Sequence, residues 1–322
     1  MADFDLFNPI NHEIEIVEKR LLQSITTDLP MMDDAAKHLL RAGGKRLRPA
    51  FALLSAKIFS ENVDKIIPMA IALELMHMGT LVHDDVIDNS TLRRGRETVK
   101  TGWGNRVSIY AGNYVFARSL SLIAPYQRSD VIEILADASM HICEGEIRQM
   151  ISCFDVKQGL KDYLRRIERK TALLISVSCQ LGAMLNGASN SEIIALKQYG
   201  YYLGMAFQVT DDILDFVADE TVLGKPVGSD IRQGVITLPA IYALRFHPRR
   251  EELAGFMSSS ELSHRYADEI IDIILDSNGI DYSTEVSCKF VKQAQNQLQI
   301  LPNVPVRDCL FEIAAFITGR EY

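Results

Sequence analysis

Helical periodicity is the feature of this sequence that most constrains its fold. Apolar residues recur every three to four positions along almost the whole chain, which is the spacing that one face of an α-helix requires. The alternation of apolar and polar residues that marks a β-strand, rich in Val, Ile and Thr, is hard to find. The sequence therefore predicts an all-α protein.

Prolines and glycines divide the periodic runs into about a dozen predicted helices. No Ser-, Gly- and Pro-rich linker interrupts the 322 residues, so we predict one domain over residues 1–322. The segments Met69–Val86 and Ile193–Phe216 are apolar on too many faces to be surface helices, and we expect them at the centre of the bundle.

Composition excludes several classes of protein. Acidic residues outnumber basic ones, 42 against 34, which disfavours a broad nucleic-acid surface. The five cysteines are odd in number and form no CxxC pair, so neither a disulfide framework nor a thiolate zinc site is predicted. No signal peptide is recognisable, and Met69–Val82 is interrupted by Glu74 and His77, well short of the ~20 apolar residues of a spanning helix. We expect a cytoplasmic protein.

One acidic pattern, DDxxD, occurs twice, each time after a strongly apolar helical run. The two clusters are Asp84, Asp85 and Asp88, and Asp211, Asp212 and Asp215. On a helix, the first and last aspartates of each cluster lie one turn apart on the same face. Such mutually repelling carboxylates are costly unless cations neutralise them, and oxygen ligands suit Mg²⁺. Two acidic helix ends in water are the alternative, which the repetition disfavours. We predict that the clusters face each other across a cavity and bind several Mg²⁺ ions and a diphosphate.

Short basic clusters could supply further diphosphate contacts. They are Gly43–Pro49, Arg93-Arg94, Arg165–Thr171 and Gly224–Pro226. Arginine forks bind phosphate oxygens in pairs, and the free N–H groups at a helix start also favour anions. Any one of these clusters alone is more commonly a solvated basic face. Their combination with two predicted metal clusters favours diphosphate binding.

Five segments resemble, in order and over nearly the whole chain, the motif series of the trans-isoprenyl diphosphate synthases: GGKRLRP, LVHDDVIDNSTLRRG, ERKTALL, GMAFQVTDDILDF and LGKPVGSD. Within that family, LELMHMGTLVHDDVID is especially similar to the large catalytic subunits, called component II, of heptaprenyl diphosphate synthases, with hexaprenyl synthases as close relatives. The resemblance implies an isoprenoid synthase helical bundle with a central cavity. It also implies condensation of isopentenyl diphosphate with an allylic diphosphate, such as farnesyl diphosphate, into a long-chain polyprenyl diphosphate for menaquinone synthesis.

The resemblance implies roles for individual residues. Mg²⁺, three ions per active site, would be held by Asp84, Asp88 and Asp211. Catalytic roles fall on Asp84, Asp85, Asp88, Asp211, Asp212, Asp215, Lys170 and Lys225. Contacts to isopentenyl diphosphate fall on Lys45, Arg48, His77 and Arg94, and contacts to the allylic diphosphate on Arg93, Lys170, Thr171, Gln208 and Lys225. His77 on an apolar helix would otherwise be a core histidine, and only the motif context gives it a role.

Product length is predicted from the helix that carries the first cluster. A prenyl tail that runs from Asp84 toward the helix start meets Met76, Gly79 and Thr80, since one turn advances about 5 Å. Short-chain members of the family usually have an aromatic residue near this depth, and none is present here. We therefore expect a long product, which a Gly79→Phe substitution should shorten.

One departure from the family pattern suggests a partner. Val235 stands where many homomeric members have a lysine, which removes a potential phosphate contact. The two-component arrangement, with a small unrelated regulatory subunit (component I), is consistent with this loss. The family implies a homodimer or heterodimer, and release of a prenyl product implies transient contact with a membrane surface.

Three alternatives remain at this level. A class I terpene cyclase is disfavoured because its second metal motif normally mixes Asn, Ser and Glu. A non-catalytic regulatory subunit tends to lose aspartates that this chain keeps. A short-chain farnesyl or geranylgeranyl diphosphate synthase differs at the positions that precede Asp84.

Overall fold

The computed structural model describes residues 5–218 and 227–319, which are almost entirely helical. The first nine helices are α1 (Asn11–Ser24), α2 (Pro30–Arg41), α3 (Leu47–Lys57), α4 (Ile67–Ile87), α5 (Val99–Ile123), α6 (Ser129–Ile151), α7 (Leu160–Ile167), α8 (Leu173–Leu185) and α9 (Asn190–Val217). A π-helical turn, Glu168–Ala172, joins α7 to α8. The prediction of an all-α protein is confirmed.

Shorter helices follow in the carboxyl-terminal part. They are α10 (Ser229–Arg232), α11 (Leu238–Phe246), α12 (Arg250–Phe256), α13 (Ser260–Arg265), α14 (Ala267–Asp276), α15 (Gly279–Gln297) and α16 (Pro305–Thr318). Three 3₁₀ turns lie at Asp5–Ile10, Ala124–Tyr126 and Leu298–Ile300. Within the described ranges the only strands are β1 (Leu92–Arg93) and β2 (Arg96–Glu97), which pair antiparallel.

The chain divides into two compact units. The first contains the described residues up to Leu135, together with Val177–Lys197 and Ile300–Leu310. The second contains Ala136–Ser176, the described part of Gln198–Gln299, and the described residues from Phe311 onwards. This division does not test whether either unit folds alone. The assignment of residues 1–322 to one domain therefore stays a prediction.

The core of the first unit is built on α4 and its neighbour α5. Helix α4 begins with a proline in its first turn, and most of its 21 residues are buried, so packing rather than surface polarity stabilises it. At Gly79 the two helices approach closely, because a Cβ atom there would lie 3.2 Å from the carbonyl oxygen of Gly112. No described helix has both the length and the apolarity needed to span a membrane.

The second unit has its own core, formed by side chains of α7, α9, α11, α14 and α15. Its largest fully buried side chains include Tyr163. A close approach also shapes this unit, since a Cβ atom at Gly204 on α9 would lie 2.5 Å from the Cα atom of Ala172. Glycine at this position therefore allows α9 to lie directly against the π-helical turn.

Candidate active site

The first aspartate cluster lies at the carboxyl end of α4. Asp85 is only 2% exposed, and its Oδ1 atom accepts a hydrogen bond from Nε of Arg93 at 2.7 Å. Burial raises the pKa of the Asp85 carboxyl, and the guanidinium of Arg93 offsets this only in part. Asp84 is half-buried and Asp88 is exposed at the end of the helix. The middle aspartate is thus bound inside the protein, whereas the outer two are accessible.

A tight hairpin that sequence analysis did not predict places Arg93 on Asp85. Arg93 pairs with Arg96 across a two-residue turn, in which Arg94 and Gly95 have φ angles of 53° and 73°. Positive φ at both central residues is typical of a type I′ turn, whose twist matches that of paired strands. The Arg-Gly pair in the sequence was the signal, although non-glycine residues adopt this conformation less readily.

Three cations, Lys45, Arg46 and Arg48, lie at the start of α3, and the turn before this helix gives the first two different environments. Arg46 is 4% exposed, with a left-handed φ of 48°. Its guanidinium donates to Glu18, to Glu74 at 3.0 Å and to the carbonyl of Leu40 at 3.2 Å. Arg46 therefore braces the turn from inside the first unit, while Lys45 is exposed.

Arg48, His77 and Arg94, three residues predicted to bind isopentenyl diphosphate, lie close together in the first unit. Burial and then the charges of Arg48, Arg94 and other arginines lower the pKa of His77 well below 6.5, so this imidazole is neutral at pH 7. The negative charge of Glu74 acts electrostatically on both Arg48 and Arg94. We call Arg48, His77 and Arg94 together the cationic pocket.

Two observations bear on the prediction that the cationic pocket binds an anion. Within the described part of the chain, the buried Nε atom of Arg48 has no hydrogen-bond acceptor, and such a donor is costly to leave unpaired. The guanidinium of Arg94 lies against Gly44, where a Cβ atom would stand 2.3 Å from Nη1. The glycine pair therefore makes room for an arginine side chain, and arginine side chains grouped in this way are candidate donors to a phosphate group.

The second aspartate cluster, on α9, has different partners. Asp212 is 3% exposed, and its two oxygens accept from the hydroxyl of Tyr163 and the side-chain amide of Gln208, both at 2.8 Å. Burial, followed by the nearby charge of Asp230, raises the pKa of Asp212 to about 7. A neutral hydrogen-bonding shell thus takes the place of the arginine that binds Asp85.

The other two aspartates of α9 differ in exposure. Asp215 is 1% exposed and accepts a hydrogen bond from the backbone N–H of Asp230 at 3.1 Å. Its own carbonyl accepts from the N–H of Gly228 at 2.8 Å. Asp211 is exposed. Unlike the first cluster, the second one buries an outer aspartate as well as the middle one, and of its three aspartates only Asp211 is accessible.

The π-helical turn positions Lys170 and Thr171. Single π-helical turns often mark functional sites because the extra residue shifts side chains out of the regular helical register. The hydroxyl of Thr171 donates to Oε1 of Gln208 at 2.6 Å. Lys170 is exposed and lies 3.2 Å from the side-chain oxygen of Gln149 and 3.8 Å from Glu146.

The donor set of the two clusters fits Mg²⁺. Asp84, Asp88 and Asp211, the three predicted ligands, are the three least buried of the six aspartates. In residues 5–218 and 227–319, no group of three His, Cys, Asp or Glu side chains is arranged to hold a metal ion. Mg²⁺ in phosphate sites is usually coordinated by one or two carboxylates together with water and substrate oxygens, and accessible aspartates provide such carboxylates.

Comparison with known proteins identifies the family. A model of the polyprenyl synthetase family matches residues 29–274. The chain belongs to the polyprenyl synthetase family. The predicted resemblance to the trans-isoprenyl diphosphate synthases is confirmed, and this membership identifies the protein as a prenyltransferase and sets aside the terpene cyclase alternative.

Individual relatives of this polyprenyl synthetase cover nearly the whole chain. Heptaprenyl diphosphate synthase component 2 of Bacillus subtilis is 42% identical over 97% of the chain and 89% of its own length. The structure of heptaprenyl diphosphate synthase from Staphylococcus aureus is 36% identical with a TM-score of 0.91, covering 97% of this chain and 98% of that one. A Caulobacter crescentus polyprenyl synthase, complexed with calcium and isoprenyl diphosphate, is 33% identical with a TM-score of 0.90, covering 98% and 97%.

Several predicted site residues of this polyprenyl synthetase are placed without their roles being tested. Met76 and Gly79 are buried on α4, and Thr80 is half-buried with its hydroxyl donating to the carbonyl of His77 at 2.7 Å. Lys225 lies outside the described residues. The first aspartate cluster belongs to the first unit and the second cluster to the second unit. That they face each other across a central cavity stays a prediction.

Proposed function

We propose that this chain is the catalytic subunit of a long-chain polyprenyl diphosphate synthase with a heptaprenyl product, which supplies the side chain of menaquinone. Isopentenyl diphosphate would be condensed with an allylic diphosphate, most simply farnesyl diphosphate. The observation that carries the proposal is the cationic pocket, where the unsatisfied Nε of Arg48 lies near His77 and Arg94. Similarity to heptaprenyl synthases supports the product.

The cationic pocket would bind the diphosphate of isopentenyl diphosphate. Arg48 and Arg94 supply forked donors, and Lys45 adds a positive charge from the exposed side of the turn. The carboxylate of Glu74 offsets part of the positive charge of Arg48 and Arg94. Neutral His77 contributes a hydrogen bond without adding to the charge repulsion among the arginines.

The allylic diphosphate would be bound by Arg93, Lys170, Thr171, Gln208 and Lys225. Three Mg²⁺ ions held by Asp84, Asp88 and Asp211 would, when bound, neutralise this diphosphate and stabilise it as a leaving group. Asp85, Asp212 and Asp215 are bound by protein groups. Their part in catalysis is therefore to orient the residues around them.

The reaction needs no dedicated side-chain base. The bond between the allylic carbon and its diphosphate oxygen breaks and leaves an allylic cation. The double bond of isopentenyl diphosphate then attacks this cation, and the proton lost afterwards passes to the departed diphosphate. The protein supplies orientation and a fixed electrostatic environment, which can account for a large share of the rate.

Product length would depend on the side chains that precede Asp84 on α4. Gly79 is a poor position for testing this, because its Cβ would already contact the backbone of α5. Half-buried Thr80 is the better position. Thr80→Phe should shorten the product, with Thr80→Val as the control of nearly equal volume. Unchanged product length in Thr80→Phe would contradict the role of this face of α4.

A second polypeptide is part of the proposal. The name component 2 of the Bacillus subtilis relative implies another component, and Val235 removes a potential phosphate contact. We propose a small regulatory subunit in a heterodimer, with a homodimer of this chain as the alternative.

The five cysteines form no disulfide, which supports a cytoplasmic location, with transient membrane contact when product leaves.

The deciding experiment supplies the purified chain with Mg²⁺, farnesyl diphosphate and radiolabelled isopentenyl diphosphate, with and without host extract. Chromatography of the dephosphorylated products should show heptaprenyl alcohol as the longest abundant species. Hexaprenyl alcohol would change only the product assignment. A farnesyl or geranylgeranyl product, a cyclised hydrocarbon, or no turnover under either condition would overturn the proposal.

A further inference from the structure

Tyr163 is a buried residue of the second unit to which neither its sequence motif nor the proposed chemistry assigns a role. Its side chain is fully buried, and its hydroxyl donates to Oδ2 of Asp212 at 2.8 Å. A buried tyrosine hydroxyl normally has one such partner. Here the partner is the middle aspartate of a predicted metal cluster, next to the accessible Asp211.

The hydrogen bond from Tyr163 is one end of a continuous chain. Asp212 accepts at its other oxygen from Nε2 of Gln208 at 2.8 Å, and Oε1 of Gln208 accepts from Thr171 at 2.6 Å. Each group therefore fixes the next one. Because the carboxylate accepts at both ends and the amide is used at both ends, the orientation of Gln208 is determined.

The tyrosine ring is itself fixed in place. The guanidinium of Arg166 lies 5.4 Å from the ring centroid and donates to the carbonyl of Ile236 at 2.7 Å. The ring also packs in the core of the second unit. Tyr163 thus has little rotational freedom, and the chain from its hydroxyl to Thr171 begins at a rigid point.

We infer that Tyr163 is a positioning residue, which holds Asp212 so that Gln208, Thr171 and Asp211 are oriented before metal and diphosphate bind. The inference takes its substrate, the allylic diphosphate, from the proposed function. The hydrogen bonds from which it is argued do not depend on that function. Outer groups that orient metal-site residues commonly affect metal affinity, by 10–100-fold when removed. Tyr163 acts here through Asp212 and does not itself reach the substrate.

Tyr163→Phe removes only the hydroxyl and keeps the ring. Oδ2 of Asp212 then loses its donor, and both Asp212 and the amide of Gln208 gain freedom to rotate. We expect MgCl₂ with inorganic diphosphate to bind roughly tenfold more weakly in titration calorimetry. In kinetics, KM for the allylic diphosphate should rise and kcat should fall, while KM for isopentenyl diphosphate is unchanged.

Tyr126→Phe is the matched control. The hydroxyl of Tyr126 donates to the carbonyl of Lys65 and accepts from the N–H of Met69 at 3.1 Å, all within the first unit. This variant also loses hydrogen bonds of a half-buried tyrosine. Thermal unfolding should show both variants folded, and only Y163F should change the binding of Mg²⁺ with diphosphate.

A double-mutant cycle tests the chain of hydrogen bonds directly. Tyr163 and Thr171 are linked through two intervening side chains, so the effects of Y163F and T171V on Mg²⁺–diphosphate affinity should be non-additive. The effects of Y126F and T171V should add. Because Thr171 is itself a proposed diphosphate contact, the loss of affinity in T171V alone does not test the chain, and only its coupling to Y163F does.

The outcomes separate this inference from the proposed function. Equal Mg²⁺–diphosphate affinity in Y163F and Y126F, or additive effects in the Tyr163–Thr171 cycle, would overturn the positioning role even in an active enzyme. A wild-type chain without prenyltransferase activity would refute the proposed function. The calorimetric comparison would still report on Tyr163, because it needs neither prenyl substrate.

Discussion

The two aspartate clusters share one sequence pattern but are supported by different chemistry. In the first cluster, buried Asp85 is paired with the charged guanidinium of Arg93. In the second, buried Asp212 accepts hydrogen bonds from neutral Tyr163 and Gln208. The first cluster therefore compensates its buried charge with an ion pair, whereas the second relies on hydrogen bonds and on a pKa of about 7.

The two middle aspartates also differ in how far along the chain their hydrogen-bond partners lie. Arg93 is eight residues from Asp85 and reaches it through a local hairpin. Tyr163 is 49 residues from Asp212 and reaches it only because α7 packs in the same core as α9. A repeated motif thus places an accessible first aspartate, Asp84 or Asp211, at both sites, but it does not specify the environment of the middle aspartate.

The largest expected effect tests whether the clusters are equivalent in catalysis despite this difference. Asp84→Asn and Asp211→Asn should each lower kcat by roughly 10²–10³-fold, the loss expected when one group that stabilises the transition state is removed. Steady-state assays with saturating substrates would measure it. Asp272→Asn, at an exposed position of α14, is the control. Full activity in either cluster variant would remove that cluster from the chemistry.

The ion pair and the neutral shell should differ in their contribution to stability. Arg93→Met leaves a buried carboxylate without its cation and should lower the free energy of unfolding by about 2–3 kcal/mol, whereas Tyr163→Phe should cost about 1 kcal/mol. Urea unfolding at pH 7 without Mg²⁺ would compare them. Equal losses, or a larger loss in Y163F, would contradict the distinction between the two clusters.

The close helix contacts at Gly79 and Gly204, on the two helices that carry the clusters, provide a third comparison. Gly204→Ala places a Cβ atom 2.5 Å from backbone of Ala172, and such overpacking costs about 1–3 kcal/mol. Gly79→Ala meets the carbonyl of Gly112 at 3.2 Å and should cost less. Thermal unfolding would rank the two variants against Gly102→Ala, whose Cβ atom would have no neighbour within 4 Å. A reversed order would show that α9 can move away from the π-helical turn.

The smallest expected effect concerns pH at the cationic pocket. Because burial and four arginines lower the pKa of folded His77, the unfolded chain takes up a proton near pH 6.5 that the folded chain does not. Stability should therefore fall as the pH drops below 6.5, and His77→Gln should remove part of this loss. Urea unfolding between pH 5 and 8 would measure the slope, with His141→Gln, an exposed position on α6, as the control. An unchanged slope in H77Q would contradict a neutral His77.

Sequence reasoning found the accessible part of the site and missed most of what orients it. The DDxxD motifs predicted two clusters of three aspartates, because helical spacing places the first and last aspartate of each on one face. The choice of Asp84, Asp88 and Asp211 as metal ligands came from the family resemblance. The basic turn was also recognisable, but nothing in GGKRLRP distinguishes the inward Arg46 from its neighbours. Tyr163 had no signal other than its position on an amphipathic helix, where a core tyrosine is ordinary.

The sequence by itself determined the helical class, the two acidic motifs and the family, because these depend on residue types at short, regular spacings. Only the tertiary structure decided that Arg46 braces the turn before α3, that Arg93 binds Asp85, and that Tyr163 binds Asp212. The physical reason is that a buried polar group takes whichever partner packing brings within about 3 Å. That partner can lie anywhere along the chain, so local spacing carries no record of it.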